Sequence, residues 1–266
     1  MASEDIEAWA QAQKKLPRPP NDAELAAFVE ILNAPEGDLW QLAPKLGKLY
    51  IKPFAESRID IFWFVLGDAV NKLTSQNDKL AELILKLQRL PDGKGVLGPE
   101  PWWSDLPYFN NYWTEWEQFK FEHEPESSDY ATNCQASVNR NAFLAKITAR
   151  MGKVPVLDQR NRGGEAIKQA LETNPIIDAD VLAAEPWITY CADSIYDRCL
   201  EGGEMSWEYP HTGTSFGVQK GWSVQRWQYW RKRFEEITTA PRVTQAVKDV
   251  ARQCAEKMAE VEAARK

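Results

Sequence analysis

The stretch from Gly221 to Ile237 constrains the fold of this chain more than any other. Ser223 is a residue type that caps helices, and with it in that role Trp222 and Trp227 take the N′ and N4 positions of a hydrophobic staple. Val224, Trp227, Trp230 or Arg231, Phe234 and Ile237 then recur at steps of three and four, which sets two indoles and a phenyl ring on one helix face. Each indole buries ~150–250 Å², worth about 4–6 kcal/mol at ~25 cal/mol per Å². A helix with such a face is a core element, and other apolar elements must cover it.

The same 3.6-residue period runs through the rest of the chain. It predicts helices over 3–15 and 21–33, and another, opened near Pro53, through the apolar run 59–70. A Ser75/Asp78 cap precedes the stripe Leu80, Leu83, Ile84, Leu87, and Phe109 to Phe119 returns to helical spacing. Further helices are expected over 132–151 and 165–172, with Gly163 and Gly164 as turn glycines before the second. The next begins near Asp178, where Pro186 predicts a kink or a restart, and a last one carries Val243, Val247, Val250, Cys254, Met258 and Val261. Between 39 and 50 only a short Trp40/Leu42 segment is expected. No pair of alternating strands and no internal repeat is present. The chain therefore reads as all-α, a single irregular domain over 1–266 of about eight to ten helices. Any subdivision would fall in the acidic stretch 123–130.

Composition narrows the function classes. A formal charge of −7 over 266 residues speaks against phosphate neutralisation as the main task, so nucleic acid is not an expected partner. Arg226, Arg231, Lys232 and Arg233 alternate with aromatics, but helical phase turns the rings one way and much of the basic set the other. The longest apolar run, Ile61 to Leu66, is far below the ~20 residues of a membrane span. The 4 cysteines have no zinc or redox spacing and read as free thiols, which places the protein in the cytoplasm or the nucleocytoplasm. No glycine cluster matches a nucleotide fingerprint, and neither cofactor nor metal is expected. Asp193, Asp197 and Glu201 share one helix side and read as a solvated face in preference to a cation site.

Two loops concentrate what remains. Segments 91–107 and 201–221 are rich in Gly and Pro yet carry Trp102, Trp103, Trp207, Tyr209 and His211. Indoles in such loops either cover a core or line a cleft, and both readings stay open here. The cleft reading gives a noncatalytic helical protein that binds a protein partner or a small apolar ligand at a Trp-rich groove, with Tyr209 and His211 as polar contacts. The alternative is an enzyme built around His211, beside Glu208, Thr212, Thr214 and Ser215, although no triad spacing is recognisable.

The order Ala183-Ala184-Glu185-Pro186-Trp187-Ile188, then Gly221-Trp222-Ser223-x-x-Arg226-Trp227-x-x-Trp230-x-x-Arg233-Phe234, then a final Ala- and Met-containing helix, resembles a fungal family of uncharacterised all-helical proteins. The likeness is strongest over 180–260 and extends to 62–116. Pro186 stands where that family has a small residue. The resemblance implies an intracellular helical domain and carries no activity, cofactor or catalytic residue.

Overall fold

The computed structural model describes residues 2–51, 58–90, 103–118, 128–151, 154–173, 177–205 and 221–265. Among the described residues there are eleven α-helices and no strand. They fall into two compact units, Met1–Glu122 and His123–Lys266.

The first unit holds α1 (Ala2–Gln13), α2 (Asp22–Asn33), α3 (Leu39–Tyr50), α4 (Ile59–Lys72), α5 (Asn77–Gln88) and α6 (Phe109–Gln118). Asn21 and Glu24 form a complete capping box at the start of α2, so each covers a backbone N–H of the other's residue. Glu24 is buried, and the Arg58 guanidinium grips both of its oxygens at 2.9 and 3.1 Å. The apolar helix α4 carries two aspartates, and each has a partner. Arg18 meets Asp60 at 2.6 Å, while Asp68 accepts from the Trp9 indole, the Gln13 amide and Lys72. Helix α3 replaces the short segment expected at 39–50. Its signal is hidden by Pro44 and Gly47, which punctuate a stripe of Leu39, Leu42, Leu46 and Tyr50 that the fold buries. Ser75 lies in a single 3-10 turn over Thr74–Gln76 and makes no capping bond to α5.

The second unit holds α7 (Tyr130–Met151), α8 (Arg160–Glu172), α9 (Asp178–Glu201), α10 (Val224–Ile237) and α11 (Gln245–Ala264). Helix α9 lies at its centre, against α7, α8, α10 and α11. Its buried positions include Ala179, Ala183, Ala184, Cys191, Ala192 and Cys199, small side chains that let four neighbours approach. Pro186 lies within this one 24-residue helix, so the restart expected there does not occur. Gly163 and Gly164 are not in a turn but inside α8. A Cβ on Gly163 would lie 2.6 Å from the Trp187 ring, so the glycine marks a close helix approach.

Candidate functional site

Of the five loop residues singled out by sequence, Trp103 is described. Trp102, Trp207, Tyr209 and His211 lie outside the described residues, as do His123 and most of both loops.

Trp103 is fully buried in the first unit and meets the Phe62 ring edge-on, with centroids 5.4 Å apart. Phe62 is the hub of this cluster. Phe28, Tyr50 and Trp63 surround it at 5.6, 5.2 and 4.7 Å, and Phe109 continues the chain of rings from Trp63. Mostly steep interplanar angles match ring edges to ring faces, the arrangement that aromatic quadrupoles favour. Among the described residues two polar atoms in the cluster have no hydrogen-bond partner, the Trp103 Nε1 and the Tyr50 hydroxyl. The Trp103 Nε1 lies over the bare Cα of Gly47, 3.1 Å from where a Cβ would be. Burial is the main cause that pushes the Tyr50 phenol far above its ordinary value, with Glu24 adding to it.

The chain leaving Trp103 is strained. Leu106 and Tyr108 have φ of 45° and 63°, the only non-glycine residues in the left-handed region among those described. Their neighbours hold them there. Leu106 and Phe109 are buried, and the Trp63 indole donates to the Pro107 carbonyl at 2.7 Å. Tyr108 is thereby left 45% exposed at the start of α6.

In the second unit the ends flanking 206–220 are tied together. Trp222 donates its backbone N–H to the Gly203 carbonyl at 2.8 Å, and Met205 is buried. Gly221 has φ 77°, and a Cβ there would lie 2.1 Å from the Gly203 oxygen, so no other residue fits.

The Gly221–Phe234 motif proves to be a clamp. Ser223 caps α10 through the Arg226 N–H, in the role assigned from sequence. Trp222 meets Trp230 edge-on at 6.1 Å. Arg226 is buried and so stands apart from the part of the basic set that faces outward, of which Lys232 is the most exposed. The Arg226 guanidinium binds both oxygens of the buried Glu172, at 2.7 and 3.1 Å, and donates to the Gly221 carbonyl. The Trp230 indole donates to the same carboxylate at 2.8 Å, and Trp227 donates to Glu262 at 3.0 Å. Arg231 joins Glu262 at 2.8 Å, and Arg233 reaches the Leu171 carbonyl at 3.1 Å. The motif therefore ties α10 to α8 and α11. Sequence periodicity missed Glu172 because its partners lie more than fifty residues away.

Asp193 and Asp197 both pair with Arg265, at 3.4 and 3.0 Å, and Glu201 pairs with Arg198. Among the described residues no group of three or more His, Cys, Asp or Glu is placed to hold a metal ion, and no helix is long and apolar enough to cross a membrane.

Compared with known proteins, residues 63–234 match the model of a family described as a protein of unknown function (DUF3632), which covers well over half of the chain. No curated protein and no solved structure matches.

Proposed function

We propose a noncatalytic binding role for this chain, which belongs to the DUF3632 family of proteins of unknown function. In this reading it takes a small apolar ligand or an inserted side chain of a protein partner beside tryptophan. The supporting observation is the pair of buried donors, Trp103 Nε1 and the Tyr50 hydroxyl, that flank Phe62 without an acceptor. Buried donors normally find partners, so two around one ring favour an apolar guest that carries an oxygen acceptor. Trp102 enters the reading as a contact residue of the first unit, and Trp207, Tyr209 and His211 enter it as contact residues belonging to the second unit by itself. An enzyme centred on His211 rests on no described residue.

Titration of the full chain with 8-anilinonaphthalene-1-sulfonate tests this. Saturable binding is expected, weakened several-fold by Trp207→Ala or His211→Ala while the melting temperature stays nearly unchanged, and by Trp103→Phe at temperatures where that less stable variant is still folded. Loss of melting temperature without a specific binding defect would leave these rings as core lids only.

A further inference from the structure

We propose that Phe64, Tyr108 and Tyr112 form a docking surface on the first unit for a proline-rich, arginine-bearing segment of a partner protein. This goes beyond the binding role above, since it concerns the exposed rings of Phe64 and Tyr108 and the half-buried ring of Tyr112, and not the core ones.

Phe64 is 43% exposed on the side of α4 that also carries Asp60, Asp68 and Lys72, and it meets the Tyr112 ring edge-on at 5.0 Å and 88°. An ordered ring pair is thus held outside the core. Tyr108, one turn before Tyr112, is exposed through a backbone conformation that is unfavourable for tyrosine and that its buried neighbours enforce. The turn that buries Leu106 and Phe109 thus also fixes the Tyr108 ring in solvent, where a partner can reach it.

Charge selects the occupant. Asp60 stands one turn before Phe64 on α4 and Glu115 one turn after Tyr112 on α6, so two carboxylates border the rings. Burial, the larger cause, and these carboxylates together raise the Tyr112 phenol above its usual value against the opposing Arg18. Aromatic ridges edged by carboxylates suit a polyproline helix with a basic residue, whose rings fit between aromatics and whose guanidinium meets the acid. The chain carries a sample of that chemistry beside the surface. In Pro17-Arg18-Pro19-Pro20, Arg18 lies on Asp60 at 2.6 Å, the Pro19 carbonyl accepts from Arg58 at 2.9 Å, and Pro20 is buried. The Arg18 side chain is 69% exposed, so this bridge is a weak surface pair that a partner's arginine can displace.

The test is fluorescence anisotropy of the full chain with a labelled eight-residue peptide, Pro-Pro-Arg-Pro-Pro-Arg-Pro-Pro, against a Gly/Ser peptide carrying the same arginines. Saturable binding of the proline peptide alone is expected, at least about tenfold weaker in Phe64→Ser, which is 1.4 kcal/mol. Tyr108→Gly separates binding from folding, because glycine accepts the positive φ and the variant keeps or gains melting temperature while losing the peptide. Asp60→Asn should make the peptide and its Arg→Ala version bind alike. Equal binding of the Gly/Ser peptide, no saturable binding, or unchanged affinity in Tyr108→Gly overturns the proposal. None of these outcomes alters the test at Trp103.

Discussion

The two units bury tryptophan in different ways. In the second, each described buried indole N–H has an acceptor: Trp187 on Asn141, Trp222 on Asn161, Trp227 on Glu262 and Trp230 on Glu172. In the first, Trp9 and Trp63 find Asp68 and the Pro107 carbonyl, but Trp103 depends on ring packing around Phe62 alone. An indole bonded to a buried carboxylate fixes direction and register, because any slip leaves a charge without a partner. Ring packing gives area without that directional demand, and it tolerates a donor left over.

Glu172 is where this contrast should break first. Its removal in Glu172→Ala strands the Arg226 guanidinium and the Trp230 N–H in the core, and should destabilise by about 3–5 kcal/mol in urea unfolding. Replacing both partners, as Glu172→Leu with Arg226→Met, should cost clearly less than the single change. A double variant no better than the single one would mean that the pair sets the fold through packing and not through charge.

Glycines under the rings give a smaller effect with the same sense. Gly163→Ala places a Cβ 2.6 Å from Trp187, whose indole is buried and bound to Asn141 at 2.7 Å and so cannot yield. A loss of about 1–3 kcal/mol is expected. Gly47→Ala meets the Leu90 Cδ1 at 2.8 Å, the end of a half-buried flexible side chain, and Trp103 at 3.1 Å. Thermal unfolding should show the lesser loss there, and the reverse order would contradict the view that hydrogen-bonded indoles are the rigid ones.

Much of the fold was legible because stripes at helical spacing are local. The faces of α2, α5 and α11 and the Ser223 cap follow directly from residue order. Long-range reasons stayed hidden. Gly163 and Gly164 look like turn residues until Trp187 and Trp222 are seen above them, and Pro186 looks like a break until α9 is surrounded by helices that hold it. Nothing local marks Arg226 as half of a buried ion pair, since its acid lies fifty-four residues away. For the candidate site, sequence singled out Trp103 but gave no sign that its N–H would lack an acceptor. Nor could composition reveal the strained φ of Tyr108.

A paired substitution isolates the hydrogen bond itself. Trp230→Phe loses ring volume and a bond to a charged acceptor, whereas Trp103→Phe loses volume alone. The first should cost more by about 1.5–3 kcal/mol, the worth of a hydrogen bond to an ionised group. Equal costs by chemical denaturation would show that the carboxylates add nothing to the indoles they touch.

The smallest effect concerns the thiols, and it reads the second unit alone because all four cysteines lie there. Burial pushes the Cys191 and Cys199 thiols up to about 12 and Cys254 higher still, while Cys134 is only half-buried. A thiol pKa raised by folding means that the native state holds its proton longer. That contribution is complete below the ordinary value of about 8.5 and is lost as pH rises from there toward the folded value. Denatured, nonreduced protein should titrate four thiols, and a count of two or none would mean disulfides. In native protein at pH 8 a thiol reagent should modify Cys134 first, with Cys191, Cys199 and Cys254 following only as the unit opens. Glu172→Ala should speed those three far more than Cys134. If they react at the rate of Cys134 in the unaltered chain, the carboxylate–indole clamp does not keep α9 closed, and the rigidity assigned to the second unit is lost with it.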